Sequence, residues 1–491
     1  MPLDDPARVV RALAERGYNA EREAVTLLAN APDPDGALER ALADLPEDAL
    51  RLTADVARGA VDTDGSGGAD SRSNPIEGET SPVEMKGANR SGEATVAVAG
   101  DVTGHSTGTG EYGDFVAVFR DRYERLSAML RPRVNHRPTA TLEDLSGGSE
   151  AAVVGMVDDI RSTANGHWLV ELEDTAGTFP CLVLNDRDVA DAVDELLLDE
   201  VIAVEGTLAD DGGVLFVDSL HFPDVPRTRE PSTADRHVQA ALVSDLHVGS
   251  EEFGADAWER FADWLHTSEA SAVEYLLVAG DMVEGVGVYP GQDEELDVVD
   301  IYEQYERFSE RLKSVPGDLE IVMIPGNHDA VRLAEPQPAF DEELRGIMAA
   351  HDARFAGNPS TVTVEGVSIL MYHGVSLDEV IAEIPGPTYD DPETAMYRLL
   401  RKRHVAPQFG ERTRVAPEER DYLVIDEVPD VFHAGHVHKL GYGRYHGVTV
   451  INSACWQAQT SFQERVNIDP DVGFAPILDL DTLEVTIRKF R

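Results

Sequence analysis

Apolar residues recur at helical spacing near the start of the chain: Val9, Val10, Leu13 and Ala14, then Ala24, Val25, Leu27 and Leu28, then Leu38, Leu42 and Leu45. Pro32 and Pro34 interrupt the run, so residues 1–58 read as a small helical module. Residues 59–112 turn to Gly, Ser, Thr and Asp. Such a segment buries too little apolar surface to offset its ordering entropy, which predicts a flexible linker. Helical spacing returns with Phe115, Val118, Phe119, Tyr123, Leu126 and Leu130 on one face, within a helix and connector over 113–148. Over 149–230 five short apolar or alternating runs, broken by NG, AG and DDGG, predict a small OB-like barrel with a helical insert near 187–198. From Val238 the pattern becomes apolar strands (VQAALVSD, VEYLLVAGD, LEIVMIPGN, VSILMYHG) alternating with helices such as Ala255–His266 and Val298–Lys313. The expected fold class is multidomain α/β, with an α/β layered domain over 237–491.

Charge changes the picture. The chain carries 92 acids against 41 bases, a net charge of −51, and only five of the bases are lysines. The acids are spread through segments of globular periodicity, which argues against an acidic tail or a disordered acidic protein. Spread acidity with scarce lysine suits a cytoplasm of molar salt, where the Debye length falls to about 3 Å and self-repulsion is screened. The charge therefore does not exclude nucleic acid as a partner. Two cysteines, Cys181 and Cys455, are too few for a disulfide framework. No signal peptide or membrane-spanning run is evident, so a soluble, cytoplasmic protein without a membrane partner is expected.

Candidate chemistry sits at the ends of the apolar strands. Asp245-Leu246-His247, Gly280-Asp281, Gly326-Asn327-His328-Asp329, His373-Gly374 and Gly435-His436-Val437-His438 all offer metal-ligand residue types there. Open α/β sheets place ligands at the carboxyl ends of their strands. Any one of these motifs has a bland explanation; their shared order, spacing and strand-end placement do not. The glycines before Asp281, Asn327 and His436 also permit sharp backbone turns. Among the histidines between GNHD and GHVH, His373 ends an apolar strand, whereas His351 and His404 do not. His433 and His446 read as structural. Imidazole, carboxylate and amide ligands suit Mn, Fe or Zn better than Ca or Mg.

This ordered set resembles the calcineurin-like metallophosphoesterase superfamily throughout 241–440, which implies a β-sandwich with flanking helices. The resemblance implies two divalent metal ions, Mn first, with Mg, Fe or Zn as alternatives. Asp245, His247, Asp281 and His438 would surround one, and Asp281, Asn327, His373 and His436 the other, with Asp281 bridging. His328 would serve the leaving oxygen as proton donor or charge stabiliser, and Asp329 would fix its ring. The second motif, GDMVEGVGVYPGQ, and the third, GNHDAVR, depart from the protein-phosphatase forms of the superfamily.

The whole organisation, with SDLHVGS at 244–250, RKRHVAP at 401–407, FHAGHVHKLGYG at 432–443 and INSACWQAQTSFQ at 451–463, resembles the small-subunit family of archaeal family D DNA polymerases. That resemblance implies a 3′→5′ exonuclease that proofreads single-stranded or frayed 3′ ends of DNA. Its partner would be a separate large catalytic polymerase subunit, in a heterodimer. A free-standing nuclease or phosphodiesterase and a non-catalytic scaffold are the alternatives. The intact ligand set disfavours the scaffold, and the barrel the free-standing enzyme. Arg398, Arg401, Lys402, Arg403 and His404 form a locally basic stretch that would hold phosphates or the partner, with a solvated helix face as the alternative. Trp456 and Gln457 would contact the terminal nucleotide, with packing of Trp456 in the core as the alternative.

Overall fold

The computed structural model describes residues 3–46, 49–62, 96–106, 108–142, 144–349, 351–410, 412–465 and 467–491. Two six-stranded sheets dominate the C-terminal half. In the first, Gln239–Val243, Val273–Ala279 and Glu320–Ile324 run parallel, joined on one side by antiparallel Phe474–Asp479. In the second, Val367–Met371, Val431–Ala434 and Val448–Ser453 run parallel. The sheets face each other across a core that includes Leu242, Leu277, Ile324, Ile369, Val431 and Ile451. Helices Ala255–Leu265 and Ile301–Lys313 cover the outside of the first sheet, and Leu377–Glu383 and Pro392–Lys402 the outside of the second. Strands buried on both faces carry continuous apolar runs, which is why VEYLLVA shows no alternation.

Before this sandwich stands a closed five-stranded barrel of Glu150–Ser162, Trp168–Asp174, Gly177–Val183, Leu215–His221 and Val201–Leu208, in that order round the wall. The five strands expected from the sequence are all present. Helix Tyr112–Leu130 lies against the barrel through Tyr123, Leu126 and Leu130. Among the described residues, no helix is long and apolar enough to cross a membrane.

Two expectations change. Of the linker expected over 59–112, residues 63–95 lie outside the described residues. Helix Ala54–Asp62 runs past its predicted end, and Val96–Ala99 adds an antiparallel edge strand to the second sheet, against Ser360–Val364. An edge strand needs only backbone pairing on one side, so four small residues suffice. The helical module, in turn, is docked on its own chain. The Asn19 side-chain amide donates to the carbonyls of Lys313 (3.0 Å) and Val315 (2.8 Å) and lies beside His351. Gly317 N–H donates to Ala20 O (2.8 Å), and Arg11 pairs with Glu259 at 2.7 Å.

Candidate metal centre

The parallel strands of both sheets point their carboxyl ends to one edge of the sandwich, and the loops leaving them carry the candidate ligands. Asp245, Asp281, Asn327, His373 and His436 each follow a strand end within three residues. Loop-to-loop bonds stitch these segments together: Asp245 N–H to Gly280 O (3.0 Å), His247 N–H to Asp281 O (3.1 Å) and Gly435 N–H to His373 O (2.8 Å). The backbone is bent to present the side chains. Asp245, His247, Asp281, His436 and His438 all have φ between 51° and 71°. Non-glycine residues in this left-handed region cost about 1–3 kcal/mol each and persist where the surroundings over-determine them.

The glycines serve a different purpose from the one expected. Of the three, only Gly280 adopts positive φ (91°). Gly326 and Gly435 are needed for room, because a Cβ would lie 2.2 Å from Asp281 Oδ1 at the first and 2.3 Å from Asp245 Oδ2 at the second.

Two donor sets share Asp281. In the first, His438 Nε2 lies 3.0 Å from His247 Nε2 and 3.4 Å from Asp245 Oδ1, and His247 Nε2 lies 3.7 Å from Asp281 Oδ2. In the second, His373 Nε2 lies 3.2 Å from that same Oδ2 and 3.0 Å from Asn327 Oδ1, with His436 nearby. Adjacent ligands about 2.1 Å from a common cation are separated by about 3.0–3.4 Å, a spacing shown by His373 with its two neighbours and by His438 with His247 and Asp245; His247 lies farther from Asp245 (3.8 Å) and Asp281 (3.7 Å). Asp245 Oδ1 is buried without a hydrogen-bond partner, which a cation would supply.

Tautomers are fixed by acceptors behind the rings. His373 Nδ1 lies 2.9 Å from Ala279 O and His247 Nδ1 2.8 Å from a carboxylate oxygen of Glu284. Neither acceptor can donate, so each Nδ1 carries the proton and each Nε2 faces the donor set. His438 Nδ1 meets Gln463 Nε2 at 2.8 Å, and the oxygen of that amide accepts from Thr460 N–H at 3.1 Å. Electrostatics agree with a cation site. Burial opposes charge on both carboxylates, yet Asp281 and Asp245 are held well below the usual carboxylate range by the surrounding histidines. His373 is pushed up to about 10 by Asp281 despite its burial. The carboxylates demand nearby positive charge.

Glu284 went unnoticed in the sequence. It is 1% exposed and holds His247, while its other oxygen accepts from Gln292 Nε2 (2.9 Å) and Tyr289 Oη (3.2 Å). Its pKa falls to about 2, because the charges and hydrogen bonds of His247, with His328 and Gln292, more than offset burial. Asp378 plays a similar part for His436, at 3.5 Å from Nε2.

Several sequence expectations are corrected. His328 lines the cleft, but its ring is held by Glu284 O, 2.7 Å from Nδ1, and not by Asp329. Asp329 points inward and accepts from Gly326 N–H (2.9 Å) and Tyr305 Oη (3.0 Å), where burial and nearby Asp281 push its carboxyl up to about 7. Gln457 lines the cleft, but it is buried and its amide is committed to Glu284 (2.7 Å) and Ser250 (2.9 Å). Trp456 is buried against Trp258 and Phe261, with no face for a base.

The basic stretch faces inward as well. Lys402 is buried with its Nζ on Glu200 Oε2 at 2.8 Å, Arg398 and Arg401 both pair with Glu195, and Arg403 donates to Ile425 O. His404 is buried on Asp421 at 2.9 Å, where burial and nearby Arg122 lower its pKa to about 4. These side chains clamp the barrel onto the sandwich and are not placed to hold DNA. His351 and His433 are buried away from the donor atoms, as their sequence context implied.

Comparison with known proteins agrees with this architecture. A family model for the B subunits of DNA polymerases alpha and epsilon matches residues 240–440. A DNA polymerase II small subunit of Halobacterium salinarum is 66% identical over 507 aligned positions, covering 100% of both chains. That of Archaeoglobus fulgidus is 43% identical over 381 positions, 76% of each chain, and that of Pyrococcus furiosus 38% identical over 397 positions, 77% of this chain and 64% of the other. With full-length similarity at this level, the chain belongs to the family of archaeal DNA polymerase II small subunits, in its haloarchaeal form.

Proposed function

We propose that this polymerase small subunit hydrolyses phosphodiester bonds at DNA ends through two divalent cations, Mn first, in the manner of the calcineurin-like phosphoesterases. The observation that carries the reading is Asp281 Oδ2, which lies 3.7 Å from His247 Nε2 and 3.2 Å from His373 Nε2 and so belongs to both donor sets. Asp245, His247, Asp281 and His438 would hold one cation, and Asp281, Asn327, His373 and His436 the other. Bound there, the pair supplies an activated water and charge stabilisation at the phosphate oxygens.

The remaining work falls to the chain. Glu284 and Ala279 O keep His247 and His373 in the tautomers that coordination needs. His328, its Nδ1–H committed to Glu284 O, keeps Nε2 available to hold a proton for the departing oxygen. The polarity, 3′→5′, and the proofreading role come from the resemblance to the family D small subunits. So does the heterodimer with a large polymerase subunit that would deliver frayed 3′ ends. Asp281→Asn should lose cation binding and hydrolysis together. His328→Ala should keep the cations and lose about 10²–10⁴-fold in rate. Metal analysis and exonuclease assays with Mn²⁺ in molar KCl, on the purified heterodimer, test both. A His328 variant that lost its metal would overturn the assignment of roles.

A further inference from the structure

The cleft over the donor sets has an aromatic lip that the hydrolytic reading does not use. Tyr289 and Phe462 stack on each other with ring centroids 5.3 Å apart and planes at 28°, and Tyr289 lies 6.3 Å from the His328 ring. Both line the same cleft as His247, Asp281 and His436. Phe462 is 44% exposed beside this polar site. The pair is rigidly tied to the ligands. Tyr289 Oη donates to Glu295 (2.9 Å) and Glu284 (3.2 Å), the carboxylate behind His247. Phe462 is followed by Gln463, whose amide meets His438 Nδ1.

We propose that Tyr289 and Phe462 form a stacking platform for the nucleobase next to the scissile phosphate, an inference that rests on the hydrolytic reading above. A phosphodiester held over the donor sets carries its base within reach of the exposed Phe462 ring, which would extend the existing stack. The platform is sequence-tolerant, because every base has a π face. It also favours an unpaired end, because a base in a duplex is already stacked on its neighbour. Salt gives stacking added weight here. At molar ionic strength phosphate contacts weaken steeply, whereas ring contact does not depend on counterion release.

The test uses the purified heterodimer in 2 M KCl with two readouts. With EDTA present, an oligonucleotide ending in 2-aminopurine should be quenched by the native protein and by Phe462→Trp, and not by Phe462→Ala. With Mn²⁺, replacing the terminal base by an abasic sugar should raise KM about tenfold or more for the native protein, with kcat less affected. Phe462→Ala should show the raised KM for both substrates. An unchanged quench or an unchanged preference for the base in Phe462→Ala overturns the platform. Quenching without any Mn²⁺-dependent cleavage would instead overturn the hydrolytic reading and leave the platform standing.

Discussion

Glu284→Gln isolates how far the proposed cation site depends on a group that is not itself one of the proposed ligands. The carboxylate receives four donors: His247 Nδ1–H at 2.8 Å and Gln457 Nε2 at 2.7 Å on one oxygen, Gln292 Nε2 at 2.9 Å and Tyr289 Oη at 3.2 Å on the other. A glutamine of the same shape offers one oxygen and one NH2, so either orientation leaves two donors facing a donor. Tyr289 already has Glu295 at 2.9 Å and loses little by turning to it. The amide oxygen can then serve His247 and Gln457, leaving one Gln292 N–H unmet while the other keeps Glu284 O (2.9 Å), or serve Gln292 and leave His247 without an acceptor. Each unsatisfied buried group costs about 1–3 kcal/mol. The charge that holds the His247 tautomer is lost in both cases.

Loss of a carboxylate behind a metal-binding histidine typically costs 10–100-fold in affinity, or about 1.4–2.8 kcal/mol, the same range reached from the hydrogen bonds. We therefore expect Mn²⁺ affinity to fall by about 10–100-fold with secondary structure unchanged. Isothermal titration with Mn²⁺ in 2 M KCl measures it. Affinity within twofold of the native protein would refute the tautomer argument, because the proton on Nδ1 would then need no carboxylate.

Three further outcomes are expected. Gly326→Ala puts a Cβ 2.2 Å from Asp281 Oδ1 and 2.6 Å from Asp281 N, so the shared ligand must move; displacement on this scale costs about 10²-fold in rate, read by exonuclease assay with circular dichroism as the control for folding. With a net charge of −51, the fold should be most stable in molar KCl and loosen below a few hundred millimolar, followed by circular dichroism during dialysis; full stability at about 50 mM salt would refute the halophilic reading. Burial lowers His351, at the contact with Asn19, to about 4. Below about pH 6.5 the unfolded chain binds a proton there that the fold refuses, so this contribution shrinks as pH falls from 6.5 towards 4. The stability gap between the native protein and His351→Gln should therefore close by about 2 kcal/mol between pH 7 and 5 in urea titrations, and parallel curves would refute it.

What the sequence made legible follows from where the information lay. Asp245, Asp281, Asn327, His373 and His436 stood at the ends of apolar runs, and a strand end is a local property. Glu284 had no spacing partner: its meaning comes from His247, Gln292 and Gln457, which meet only in three dimensions. Adjacency misled in two places. Asp329 follows His328 in sequence, yet its side chain turns inward to Tyr305. Trp456 and Gln457 follow the last motif, and nothing local says that Trp456 faces the core while Phe462 faces the cleft. The basic stretch from Arg398 to His404 looked solvated because its acidic partners, Glu195, Glu200 and Asp421, lie on other segments. In a chain this acidic, a cluster of cations reads more safely as the inside of a junction than as a surface.

That inversion bears on how the small subunit would hold DNA. Cations that a less acidic protein would spread over its surface are spent here on acids of other segments: Lys402 on Glu200, Arg401 on Glu195, Arg122 on Asp421 and Arg332 on Glu418. Arg412 is a more open cation at the cleft, 57% exposed and 3.8 Å from Asp378. One such side chain, screened over about 3 Å in molar salt, contributes little long-range attraction for a polyanion. Under the proposed function, binding must then come from short-range terms: cations in the two donor sets, ring stacking on Phe462, and delivery of the strand by the large subunit. A site of this kind grips the nucleotide within its reach and has little hold on the duplex behind it. Discrimination between a frayed and a paired end then follows from which bases are free to leave the stack, without any contact that reads the mismatch itself.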